Sequence, residues 1–407
     1  MSGRNISTRG RRLILGLGLV ASLLATGWAS TETRLFNFGG TLGKSPNGGL
    51  IWDAAGNLYG TTQSGGLNNA GVVFQLHRTI SGVWIENILY NFVGTTDGGN
   101  PQAGLIWDAA GNLYGTTTAG GASGMGTVFE LSPNGHGGWT ESVIYSFAGG
   151  SDGASPMGKV VFDGSGNLYG TTEFGGPANV GTVFQLSPTG SGYNETVLHA
   201  FSGPDGSHPM AELILDASEN LYGTTYQGGV KGVGTVFELV RGSGWTESVL
   251  HHFKNYPDGA YPNGGLVFNG SNLLGTTTGG YGDGLGTVFE LVNHVTSYTD
   301  VVYGFYRGQG GDYPVGTLTF NSANATYYGS TALGTFQAGE SAGTVFSLAL
   351  GASIVDVYSF TGGIVENVTH DGEIPQGGLS LDGAGNLFGS TLKGGTGAGG
   401  TVFEVTP

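Results

Sequence analysis

The sequence predicts an all-β chain folded as a seven-bladed β-propeller, with four antiparallel strands per blade, and three observations carry the prediction. Of 407 residues, 83 are Gly and 13 are Pro, about twice the usual share, which excludes a helix-rich fold. The glycines recur at a fixed spacing: Asn57-Leu58-Tyr59-Gly60-Thr61-Thr62 returns at 112–117, 167–172, 220–225 and 272–277 and, with substitutions, at 326–331 and 386–391. Third, the two ends of the chain are out of phase with the repeat in a way that lets one complete the other. A 38% hydrophobic, 11% aromatic composition argues against disorder, because it carries enough apolar surface to offset the entropy of folding. No Cys is present, which excludes disulfides, thiolate metal sites and a cysteine nucleophile.

Residues 1–29 read as a secretory signal peptide. Arg4, Arg9, Arg11 and Arg12 precede an apolar run from Leu13 to Ala25, and the small residues Gly27 and Ala29 precede the expected cut. The run is too short for a stable membrane span. General secretion is expected, and the Arg11–Arg12 pair is compatible with twin-arginine export. The mature chain keeps nine Lys/Arg against 29 Asp/Glu, a net charge of −20, which disfavours nucleic acid and anionic membranes as partners. A secreted, cell-surface or periplasmic monomer is expected, without membrane insertion after cleavage.

Gly60, Gly115, Gly170, Gly223, Gly275, Gly329 and Gly389 mark successive units 52–60 residues apart. Seven such units leave room for one domain, residues 30–407. Each unit reads as four short strands: 49–53, 58–62, 72–76 and 84–92 in the first, with Asp53-Ala54-Ala55-Gly56-Asn57 as a tight hairpin between the first two. The third strand, as in Gly126 to Leu131, is apolar on both faces, as expected of a sheet covered on both sides. Residues 33–38 match a fourth strand, whereas the chain stops at Val405-Thr406-Pro407, just after a third one. The N-terminal strand is therefore expected to join the last blade and close the ring, leaving no free edge.

A leader followed by tandem G-N-L-Y-G-T-T, a Gly pair and G-T-V-F-E-L resembles the choice-of-anchor tandem repeat GloVer-containing proteins, a bacterial exported family, over roughly residues 34–407. The resemblance implies an extracellular repeat protein and no particular activity. Asp-x-x-Gly-Asn-Leu-Tyr is also similar to NHL and gluconolactonase repeats and the Gly pair to kelch, but unit length and the missing kelch Tyr and Trp separate the chain from both.

Loops from second to third strand and from fourth to next first strand share one face. Asp97, Asp152, Asp205, Asp258 and Asp371 each stand four residues before a loop Pro. They read first as turn residues binding their own backbone, and alternatively as a ring of acceptors for Ca²⁺ or sugar hydroxyls. Otherwise no cofactor or metal is expected. Two insertions, at 329–343 and 360–375, bring Phe336, Glu340, Glu366, His370 and Asp371 to one side of the channel mouth. The residue before the loop Pro varies: Ser45, Asn100, Ser155, His208, Tyr261, Tyr313, Ile374. With Phe174, Tyr226 and Tyr281 these make an aromatic, polar rim suited to carbohydrate. Trp84, Trp139 and Trp245 read as inter-blade packing, and Glu86, Glu141 and Glu247 as solvated outer-edge acids. Neither H-E-x-x-H nor a P-loop occurs. The expected function is non-catalytic recognition, of extracellular neutral polysaccharide or a surface protein. The competing reading is a carbohydrate-active enzyme (polysaccharide lyase, glycosidase or lactonase) acting at the channel mouth.

Overall fold

The computed structural model describes residues 30–190, 192–294, 297–306, 311–334, 342–362 and 371–407. The leader, Phe336, Glu340, Glu366 and His370 lie outside them. The described residues form seven antiparallel sheets and one 3₁₀ turn, Gly40–Leu42. Blade 1 runs Ile51–Trp52, Leu58–Thr62, Val72–Arg78 and Trp84–Asn91 in spatial order from the channel outward. The next five blades repeat this order. In blade 7, Thr31–Asn37 pairs antiparallel with Thr401–Thr406, so the N-terminal strand supplies the outer edge of the last sheet and the ring is closed.

The first strand is shorter than the sequence suggests. Only two residues pair in blades 1–4, because the inner segments of adjacent blades converge on the axis. A Cβ on Gly48 would stand 2.4 Å from the carbonyl carbon of Ala103 in the next blade.

The repeat motif is explained by the seams between blades. The Phe that ends each outer strand meets the third-strand Phe of the following blade at all seven seams, from Phe38–Phe74 to Phe360–Phe403, with ring centroids 4.9–5.1 Å apart. Such tilted and edge-on pairs are favoured by the ring quadrupole. The third-strand ring lies across the Gly of Tyr-Gly: a Cβ there, at Gly60 or any of its six counterparts, would stand 2.5–2.7 Å from the ring's Cζ. The two hydroxyls that follow have separate tasks. The first, in Thr61, Thr116, Thr171, Thr224, Thr276, Ser330 and Ser390, donates to a backbone carbonyl of the next blade's inner segment at 2.8–3.4 Å. The second pairs with the Thr opening the third strand in six blades, as in Thr117–Thr127 at 2.8 Å. Buried apolar residues accordingly gather in seven clusters, each spanning a seam.

Trp84, Trp139 and Trp245 pack into clusters that span the seams, as expected. The glutamates two residues on from them do not behave as solvated acids. Glu86, Glu141 and Glu247, together with Glu195 and Glu32, lie opposite Leu76, Leu131, Leu239, Leu186 and Val405. Directly paired residues share a face of the sheet, so each glutamate shares the face of a fully buried apolar side chain. Each has a carboxylate oxygen that is buried without a partner. Burial pushes Glu86 up to about 8, and burial reinforced by a nearby Asp brings Glu32, Glu141, Glu195 and Glu247 to about 7.

Two outcomes follow. Phe38→Ala and Phe147→Ala should each cost about 3 kcal/mol in denaturant unfolding; a silent Phe38→Ala would show that the terminal strand does not close the ring in solution. The second concerns pH. A carboxyl raised in the folded state favours folding most below its ordinary value of 4.5 and loses that contribution as pH rises towards 8. Asp53, Asp108 and Asp163 act oppositely: burial opposes their ionisation, but amide and side-chain donors outweigh it and hold them below 3.8. Their contribution is lost only in stronger acid. Thermal stability should therefore peak at about pH 4, between the two ordinary values, and decline towards pH 8. Glu86→Gln should flatten the alkaline limb by about 1 kcal/mol at pH 8, a figure discounted for solvent reaching the site.

Candidate functional site

The meander places the second-to-third and fourth-to-first loops of all blades on one face, where they pair with one another, as in Lys44 with Ser64 and Ala154 with Phe174. The loop aspartates are part of this architecture. Asp97 accepts from the Tyr90 hydroxyl at 3.0 Å and the Val93 amide at 2.7 Å. Asp152 does the same with Tyr145 and Ala148. Asp205 and Asp258 take a His Nε2, from His199 and His251, in place of the phenol. Asp371 accepts from the Tyr358 and Thr361 hydroxyls and from the amides of Thr361 and Gly362, and is only 5% exposed. Its carboxylate is buried and taken up by these donors. Where Leu42 replaces the aspartate, the phenol is replaced too, by Phe36.

The seven pre-proline residues share one backbone state. Ser45, Asn100, Ser155, His208, Tyr261, Tyr313 and Ile374 all have φ between 54° and 61°. Each donates its N–H to a loop carbonyl of the preceding blade at 2.7–2.9 Å, from Ser45 to Gly399 through to Ile374 to Ala342. Four of them, Ser45, Asn100, Ser155 and His208, also accept from the next blade's loop at 3.0–3.2 Å. This clamp fixes the backbone whatever the side chain. Left-handed φ is unfavourable for bulky and β-branched residues, so Tyr261, Tyr313 and Ile374 are strained positions.

The side chains form an aromatic sector over blades 3–6. Phe174 meets His208 edge-on at 5.4 Å, and Tyr226 meets Tyr261 at 5.3 Å. Further out, Tyr281 stands between Tyr256 (6.2 Å, stacked) and Tyr306 (5.8 Å, edge-on), with the Tyr306 hydroxyl donating to that of Tyr281. Tyr256 is 71% exposed, Tyr306 52% and Tyr313 43%. His208 Nδ1 is buried without a partner, and burial holds this ring's pKa below its ordinary value. His208, Tyr261 and Tyr313 thus fall in one sector. Tyr256 and Tyr306 escape sequence reading because they sit where the repeat has no fixed residue, three positions after Phe253 and one after Phe305.

The channel itself is a cavity of about 320 Å³ lined by the residues after the loop prolines. Asn47 donates to Gln102 at 3.2 Å, and the Thr317 hydroxyl donates to Glu212 at 2.6 Å; Lys159, Asn263 and Gln376 complete its polar lining. Two strings have nucleophile-elbow spacing, 149–153 and 339–343; the second falls partly outside the described residues, and the first lies in a loop leading to a β-strand, whereas that motif requires a strand-to-helix turn.

A closed ring of seven near-identical four-stranded units, with its variation concentrated on one loop face, defines a tandem-repeat propeller by architecture. The family model described as Gloeobacter/Verrucomicrobia repeat matches residues 16–161, 136–291 and 220–407, and the chain belongs to that family. No curated protein matches the chain. Among solved structures, it is similar to selenomethionine-substituted virginiamycin B lyase from Staphylococcus aureus, at 13% identity and TM-score 0.57, over 93% of this chain and 99% of that one. It is also similar to the extracellular domain of a one-component system from B. thetaiotaomicron, at 10% identity and TM-score 0.53, over 91% of this chain but 40% of that one. At these identities the likeness shows the fold alone.

Proposed function

We propose that this propeller is a non-catalytic recognition module, exported by its leader, that binds neutral polysaccharide on the aromatic sector of its loop face. The observation that carries the reading is the cluster of exposed and half-exposed tyrosines on blades 4–6, two of them, Tyr261 and Tyr313, kept on left-handed backbone. A bulky residue at such a φ costs on the order of 1 kcal/mol or more. Positions bearing Ser or Asn in blades 1–3 show that the fold does not demand it. Tyrosine offers a face for the C–H side of a sugar ring and a hydroxyl for its polar edge. The acid excess, 29 Asp/Glu against 13 Lys/Arg, disfavours acidic polymers and leaves neutral ones. The aspartate expected to serve an enzyme, Asp371, is committed to its own loop, which favours binding over turnover.

A neutral-glycan array followed by calorimetry on the hits tests this. Tyr261→Ala and Tyr256→Ala should each weaken binding about tenfold, the worth of one ring contact of about 1.4 kcal/mol. Release of sugar products from a bound glycan would replace the module by an enzyme. Absence of binding to any neutral glycan would sink the proposal.

A further inference from the structure

The seams repeat a three-residue group beneath the loops. It comprises the residue two before the outer-strand Phe, the loop aspartate, and the half-buried glutamate of the following blade's outer strand. At the seams after blades 1, 2 and 6 these are Tyr90, Asp97 and Glu141; Tyr145, Asp152 and Glu195; and Tyr358, Asp371 and Glu32. The phenol can only donate to the aspartate or accept from the glutamate, and such a group is a hydrogen-bonded buttress.

At the seam between blades 3 and 4 the phenol is replaced by an imidazole. His199 Nε2 lies 3.0 Å from Asp205 Oδ2, and one ligand atom each of His199, Asp205 and Glu247 lie within 4.8 Å of one another. Three features make this more than a cluster of acids. The group contains a neutral nitrogen ligand beside two carboxylates, a donor set that suits zinc-type ions. Glu247 Oε1 is buried with no hydrogen-bond partner, as is an oxygen of each other seam glutamate, and here that desolvated carboxylate stands beside an imidazole in place of a phenol. Asp205 is oriented from behind, its Oδ1 accepting from the amide and hydroxyl of Ser202, both at 2.9 Å; outer-shell donors of this kind fix a ligand's direction. The His and Asp side chains keep 20% and 21% exposure, which gives an ion access and leaves room for water as a fourth ligand.

The neighbouring seam supplies an internal contrast. His251 and Asp258 form the same pair at 2.9 Å. The position equivalent to Glu247 is there Asp300, opposite Leu291, and it is exposed. Among the described residues, the three-ligand group is found at the seam between blades 3 and 4 alone.

We propose that His199, Asp205 and Glu247 form a site for one divalent transition-metal ion of the zinc type, bridging blades 3 and 4. Coordination moves the imidazole proton to Nδ1 and uses the Nε2 lone pair. It gives Glu247 Oε1 the partner it lacks and offsets the repulsion between the two carboxylates.

The test uses untagged, chelator-treated full-length protein titrated with Zn²⁺ by calorimetry at pH 7.5, with melting temperature read in parallel. Wild type should bind one equivalent and melt higher with metal. His199→Tyr installs the residue that the equivalent seams carry, so it should keep the metal-free melting temperature while lowering Zn²⁺ affinity at least tenfold. Glu247→Gln provides a second reading, with the same loss of metal, and His251→Tyr should leave affinity unchanged. The proposal is overturned if wild type binds less than one equivalent, or if His199→Tyr or Glu247→Gln binds as tightly as wild type.

Discussion

The contact between two phenylalanines at each seam is what the rest of this structure depends on. A propeller has no central core; its apolar surface is distributed over the seams, so seam chemistry must be the same seven times or the ring does not close at the right angle. Phe38–Phe74, Phe92–Phe129 and their five counterparts keep one spacing. That spacing dictates the Gly of Tyr-Gly, over which the third-strand ring lies, and with it the neighbouring hydroxyls that tie each blade to the next. Nearest-neighbour coupling of this kind is how repeat proteins store their stability.

Radial position then decides how much freedom each segment has. Near the axis the backbones of adjacent blades touch, and Gly48 and Gly264 have no space for a side chain. At the rim the outer strands carry bulges, as at Leu89 opposite Val73/Phe74 and Ile144 opposite Val128/Phe129, which bend the strand. Only on the loop face is the backbone fixed while the side chain is left open. Ser45, Asn100, His208 and Tyr313 can therefore differ with no change in the frame that holds them.

Blade number, strand order and the closing strand were legible in the sequence because each rests on a period and its phase. Ring counting needed only the Tyr-Gly marker, and closure needed only the match of Leu35-Phe36-Asn37-Phe38 to an outer strand. The left-handed state of the pre-proline residues was not legible: Ser, Asn, His, Tyr and Ile share no conformational preference, and the residue before proline is normally extended. Burial of Glu86 was missed because its neighbours Ile85 and Asn87 are exposed, and which of the two faces meets the seam is set by pairing with Leu76. The aromatic sector was visible in part, through His208, Tyr261 and Tyr313. Tyr256 and Tyr306 join it through tertiary contact with Tyr281, which no spacing encodes.

Closure by the first strand also sets an order of assembly. Thr31–Asn37 is made early in synthesis, yet its partner Thr401–Thr406 is made last, so five seams have every residue they need before the two that flank the last blade. Bringing those ends together is a loop closure across nearly the whole chain, entropically costly and kinetically slow. Until it happens, two complementary unpaired edges coexist on one molecule, and a second unfinished copy can satisfy either of them. The seam that completes the ring is thus also the one whose edges stay open longest to a neighbouring copy folding alongside.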